Sequence, residues 1–187
     1  MRRRRSKAAR SRAGFGLLDV MAAAVVLTVT IAGVSGSILV AMSQNRLNRD
    51  TAVAQQAARQ LLERMESRPF NEVFAAYNAS VADDAGLTQP AQGAAFDVPG
   101  LEPLAGDPDG RCGRILFPTT VVGAVEQLRE DAVDAALGMP RDLNGLAGID
   151  GLDHAADYRV LPVRVRVEWR TAGRARVLDL ETMLCQR

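Results

Sequence analysis

Few residues in this chain offer chemistry. Asp19 stands at the mouth of a long apolar run, and no other charge follows it from Val20 to Asn45. A carboxylate at that depth is expensive in lipid and marks a functional position; the bland account leaves it among the headgroups. His154 is the one histidine, set in a loop-like stretch with no serine or cysteine motif around it. A lone imidazole supports neither a catalytic triad nor a zinc site of three or four protein ligands, so a surface histidine is expected. Cys112 and Cys185 are the only cysteines. In an oxidising compartment they could form a disulfide, closing a loop of about 70 residues and stabilising by roughly 4 kcal/mol. Two buried free thiols are the alternative. Asp107-Pro-Asp109-Gly110 has the opening acids of a calcium loop, and Asp150 and Asp153 are the nearest further candidates. The remaining oxygens and the distal Glu are missing at the required spacing, so a Pro-Asp-Gly turn accounts for it better. No catalytic group, cofactor, metal or small-molecule substrate is expected, and the chain does not read as an enzyme.

The elements that would position Asp19 are legible. Residues 1–14 hold seven of the 23 basic residues and no acid; without them the chain has 16 basic against 22 acidic residues, a net charge of −6. A basic run alone suggests a nucleic-acid signal. Here an apolar run follows at once, and basic residues flanking a span are held on the cytoplasmic side. The 26 uncharged residues from Val20 to Asn45 would extend about 39 Å as a helix, against roughly 30 Å of hydrocarbon. The expected placement is a single pass, N-terminus cytoplasmic and the rest outside, which in a bacterium is the inner membrane and periplasm. Gly33 and Gly36 sit in mid-run. They are either ordinary small residues of a membrane helix or a weak point where the helix bends or melts.

The helical pattern continues beyond the run. Leu47, Ala54, Ala58, Leu61 and Met65 share one face, with Arg49, Gln55, Gln56, Arg59 and Glu63 opposite. Pro69 should end the helix at Arg68. The spacing thus predicts one helix over about 16–68, its membrane part reaching about 45, and then a head of residues 69–187. In the head, Asn71 could cap a short helix through Tyr77, and 79–111 reads as loop. Ile115 to Val122 reads as a strand, although Thr120 could instead cap a helix running through Ala136 and stopped by Gly138 and Pro140. Residues 138–157 are again loop-like.

The end of the chain is a hairpin over 160–184. Val163, Val165, Val167 and Trp169 alternate with charged residues, and Leu178, Leu180 and Leu184 answer them. A four-residue loop over 171–174 pairs Arg170 with Ala175, Val167 with Leu178 and Val165 with Leu180. It also sets Arg166 against Asp179 and Arg164 against Glu181. Slipping by one would bury both acids beside valines. Arginines 159, 164, 166, 170, 174 and 176 crowd this hairpin and raise the question of DNA. Acidic cross-strand partners and the scarcity of aromatic residues argue for a solvated face instead.

The segment Ala13-Gly14-Phe15-Gly16-Leu17-Leu18-Asp19-Val20-Met21, with its basic leader and apolar helix, resembles the class III signal of type IV pilins and type II secretion pseudopilins. The resemblance implies cleavage by a prepilin peptidase between Gly14 and Phe15, removal of leader 1–14, and methylation of the Phe15 amine. It gives Asp19 the role of the family's acidic residue, which pairs with the terminal amine of a neighbouring subunit during filament assembly. Asp stands here for the usual Glu, and Gly16 for a common Thr. The hairpin is similar to that of minor pilins of the PilV kind and of minor pseudopilin I of type II secretion. The implied fold is α+β, pilin-like: a long N-terminal helix packed on a small antiparallel sheet. The implied partners are the peptidase, the membrane and other pilin-like subunits, in an initiating or tip complex of a pilus or pseudopilus. Two alternatives remain: an uncleaved bitopic protein with a partner-binding head, and a DNA-binding minor pilin.

Overall fold

The computed structural model describes residues 16–123 and 125–186. The proposed cleavage residues Gly14 and Phe15 lie outside them. The chain forms two compact units, one reaching Arg46 and one running from Leu47 to Arg187. Helix α1 (Leu17–Glu66) contributes to both. From Leu17 to Arg46 every residue is exposed, and the helix is unbroken through Gly33 and Gly36. This helix is long and apolar enough to cross a membrane.

In the second unit, the remainder of α1 buries Ala54, Ala58, Leu61 and Met65. Four of the five residues of the expected stripe are thus buried; Leu47, its first member, is only half-buried. A short helix α2 (Phe70–Tyr77) follows directly, with Pro69 at its N-cap and no side-chain cap. Asn71 therefore lies inside the first turn rather than capping it. Proline serves here because its fixed φ suits a helix entry and it has no N–H to satisfy. The buried Arg68 turns back to donate to the carbonyls of Gln89 (3.3 Å) and Pro90 (2.6 Å) and lies over the Tyr77 ring.

The core sheet has four antiparallel strands in the order β1 (Ala95–Phe96), β2 (Gly113–Leu116), β5 (Val160–Thr171) and β6 (Arg174–Cys185). The long α1 helix packed with this small antiparallel sheet gives the α+β layout. The β5–β6 register follows the side-chain alternation: Val167 pairs with Leu178, Val165 with Leu180, Arg166 with Asp179 and Arg164 with Glu181. Pairing continues one step further, to Thr171 with Arg174. The turn is therefore two residues, Ala172 and Gly173, both at positive φ, as the right-handed strand twist prefers. Thr171 Oγ1 donates to Asp50 Oδ2 at 2.6 Å, tying the hairpin tip to α1.

The middle of the head departs from the sequence expectation. Instead of one strand over 115–122, Phe117 and Pro118 break the run. β2 stays in the core sheet, and β3 (Thr119–Val122) pairs only with β4 (Val125–Leu128) in a separate ribbon. The alternative helix through Ala136 does not form; only a 3-10 turn at Ala135–Leu137 exists there. Gly123 at φ +69 reverses the chain, and the flanking β-branched valines favour an extended ribbon.

Candidate functional site

Two places carry the polar chemistry. The first is the start of α1. Helical side chains lean toward the N-terminus, and Asp19 follows this: its Oδ2 accepts the Gly16 N–H at 3.2 Å. The carboxylate thus closes the first turn. No buried residue surrounds it.

The second place is His154, and here the expectation of a surface histidine is overturned. His154 is 3% exposed. Asp150 and Asp157 lie four residues before and three after it, so one short loop turns both carboxylates onto the ring. Nε2 is 3.0 Å from Asp150 Oδ1, and Nδ1 is 3.0 Å from Asp157 Oδ1. Asn144 Nδ2 donates to Asp157 Oδ2 at 3.2 Å. Beneath the ring lies Glu130, 1% exposed, with Oε1 3.8 Å from Nε2. Glu130 organises the whole segment. Its Oε1 accepts the N–H groups of Leu143 (2.7 Å) and Asn144 (3.2 Å), and its Oε2 accepts that of Asp150 (3.3 Å).

Burial alone would lower the His154 pKa. The hydrogen bonds to Asp150 and Asp157 and the field of Glu130 outweigh it, and the pKa rises above the ordinary histidine value. Asp150 is held below the ordinary carboxylate range, first by the Leu152 N–H and then by His154. Both ring nitrogens face carboxylate oxygens, and the imidazolium serves both by donating from each; Nδ1 also lies 3.3 Å from the Asn144 Nδ2 donor, which the neutral ring can accept. Donor atoms of Glu130, Asp150 and His154 lie within 4.8 Å of one another. Glu130 Oε1 already takes two backbone donors, and hydrogen bonds within the cluster account for its geometry.

The other expected sites resolve as follows. The disulfide is a correction: Cys112 and Cys185 are both free, one buried and one exposed. Cys112 O accepts the Glu168 N–H, whereas Cys185 pairs with Val160. They therefore sit eight strand residues apart along β5, about 26 Å, far beyond the roughly 7 Å a disulfide spans. Burial, with Asp97 and Asp107 nearby, pushes the Cys112 thiol up, so it is an unreactive core residue. Asp107-Pro-Asp109-Gly110 is a turn, closed by the Gly110 N–H on Asp107 O at 3.3 Å. Its two carboxylates face Arg114 at 2.6 and 3.7 Å. Asp153 instead accepts the Leu128 N–H at 3.1 Å.

Three hairpin arginines are paired. Arg164 holds Asp134 at 2.6 Å and Glu181 at 3.1 Å, Arg166 holds Asp179 at 2.8 Å, and Arg170 pairs with Glu102. Among the described residues, Arg159, Arg174 and Arg176 make no ion pair. Trp169 is buried with the valines and offers no stacking face.

Sequence reasoning missed Glu130 and Asn144, which reach His154 only through the fold. The flanking spacing Asp150-x-x-x-His154-x-x-Asp157 was the available signal. No family model, curated protein or solved structure matches this chain.

Proposed function

We propose that the protein is a minor pilin or pseudopilin subunit, a structural assembly protein rather than an enzyme. In this reading it is cut after Gly14 by a prepilin peptidase, methylated on Phe15, and co-assembled with other pilin-like subunits in an initiating or tip complex. It sits in the bacterial inner membrane with its N-terminus cytoplasmic and its head periplasmic, and then enters a pilus or type II secretion pseudopilus. The observation that carries the reading is the start of α1. The exposed apolar half of α1, from Leu17 to Arg46, begins with one carboxylate, which accepts the Gly16 N–H.

The chemistry follows from the local dielectric. Cleavage creates a cationic amine at the membrane edge, opposite in sign to Asp19. At 4 Å, two unit charges attract by about 1 kcal/mol in water but about 4 kcal/mol at an effective dielectric of 20. An unpaired partner left in that setting is penalised. Pairing between one subunit's carboxylate and its neighbour's amine therefore sets the axial register of an incoming subunit.

The deciding experiment is mass spectrometry of the membrane-extracted protein, made with and without an active prepilin peptidase. A product beginning at N-methylated Phe15, abolished by Gly14→Val, supports the proposal. An intact N-terminus beside a correctly processed control pilin sinks it and leaves a signal-anchored bitopic protein. Asp19→Ala is expected to leave processing intact and to slow filament assembly; assembly at the normal rate would remove the pairing step.

A further inference from the structure

The His154 cluster has no part in the assembly chemistry above, yet it holds buried ionisable groups. It lies in a segment of the head anchored at Leu143 and at the His154 N–H, with no regular element between them. Residues Asp142–Asp157 contain no helix or strand. They bury Leu143 at one end but expose Leu146, Ile149 and Leu152 to solvent. Backbone bonds tie Leu143 O to the Arg159 and Val160 N–H groups and the His154 N–H to Leu128 O; between these anchors the backbone is held by carboxylates. Glu130 takes the N–H groups of Leu143, Asn144 and Asp150, and Asp142 takes those of Gly145 (2.6 Å) and Ala147 (2.8 Å).

His154 joins these pieces. Its ring bridges Asp150 on one side and Asp157 on the other, across the segment's second half. The charged groups facing it are Glu130, from the stretch after β4, and Asp150 and Asp157, from its own loop. Arg129, paired with Asp131 at 2.9 Å, stands at the rim near Gly151; Asn144 is the neutral neighbour. Three carboxylates thus converge on one ring. As the imidazolium it donates to two of them and lies beside the third. As the neutral ring it keeps one N–H: with that on Nε2, Nδ1 becomes an acceptor for Asn144 Nδ2 at 3.3 Å, Asp157 Oδ1 loses its donor, and buried Glu130 loses the charge 3.8 Å from it. The balance of attraction and repulsion in this buried site therefore turns on one proton.

We infer that His154 is a proton-operated clamp on Asp142–Asp157, closed when the ring is charged and opened when it is neutral. The clamp sets whether Leu146, Ile149 and Leu152 are shown on one fixed loop or on an open one. The sign follows from linkage. A histidine that binds its proton more tightly in the closed form stabilises that form fully below its ordinary value. The contribution falls away as pH rises from about 6.5 through the closed-form value, and it is absent above it.

The test uses the full chain in detergent micelles. Because there is one histidine, the 15N signals of its ring need no assignment and report its titration directly. Hydrogen exchange of peptides from 142–157, corrected for intrinsic chemistry, reports closure over the same pH range. The expected result is a ring that titrates above the ordinary value. Within the transition window, loop protection should fall by up to roughly tenfold per pH unit, while β5 stays protected. His154→Gln should give a loop that is weakly protected and insensitive to pH, and Asp157→Asn should move the midpoint down. A ring titrating at or below the ordinary value overturns the clamp, as does loop protection that is flat across the titration. The wild-type measurements decide the matter even if a variant fails to fold.

Discussion

From Leu17 to Arg46, α1 has no buried residue; from Leu47 to Glu66, the same helix buries Ala54, Ala58, Leu61 and Met65. The first part is apolar around its whole circumference, and the second is apolar along one stripe. The backbone hydrogen bonding is alike in both, so the difference lies in what each surface needs as surroundings. An all-round apolar surface needs apolar surroundings on every side, as a protein core or a bilayer provides. A stripe needs a single partner, and the core sheet supplies it. The head shows a second contrast. The hairpin is held by buried valines and leucines, whereas much of the 142–157 segment hangs on the Glu130 carboxylate and the His154 ring.

The largest expected effects would break the first contrast. Ala58 has no exposed surface, so Ala58→Asp buries an unpaired charge at a cost of several kcal/mol. The head should then lose its cooperative thermal transition by circular dichroism. Val29 is 67% exposed, so Val29→Asp should leave that transition in place. It should instead cost ~2.5–3.5 kcal/mol of insertion and shift the chain out of the membrane fraction. The reverse pattern would mean that the apolar half is part of the head's own core.

Glu130→Ala sharpens the second contrast. It strands three backbone N–H groups, each worth roughly 1–3 kcal/mol when buried without a partner. The expected outcome is a loss of about 3 kcal/mol or more in chemical denaturation, with proteolytic cleavage appearing first within 142–157. Cleavage first in the hairpin would contradict the division of labour. A smaller effect is expected at Tyr158. Its hydroxyl donates to Phe70 O and accepts from Phe74 N at 3.2 Å, pinning α2 to the segment before β5. Burial pushes its pKa up to about 12, so it stays neutral. Tyr158→Phe should cost about 1–2 kcal/mol, read from the same denaturation curves. The smallest effect belongs to Arg166→Ala. Its cross-strand pair with Asp179 contributes about 0.2–1 kcal/mol, and a double-mutant cycle should return a coupling of that size with the β5–β6 register unchanged.

The strand register, the stripe on α1 and the exposed span were all legible in the sequence, because each rests on a local period. A strand's faces alternate every residue, and only one register keeps Asp179 and Glu181 out of the core. A helix face recurs every three to four residues, and Leu47, Ala54, Ala58, Leu61 and Met65 follow it, the last four buried. The sequence pattern failed where a period was short or shared. The valines of 119–128 suit a strand or a helix equally, and Pro118 and Gly123 had to act together to settle on a ribbon in its own sheet.

The basic run of residues 1–14, the uncharged 26 residues, the position of Asp19 and the hairpin pairing were determined by the chain itself, since charge, hydropathy and alternation are properties of neighbours in sequence. The free state of Cys112 and Cys185, the burial of His154 and its seat over Glu130 were decided only by the tertiary structure. Those contacts join residues far apart along the chain. Whether two groups meet, and in what dielectric, depends on where the intervening strands place them, which no local spacing encodes.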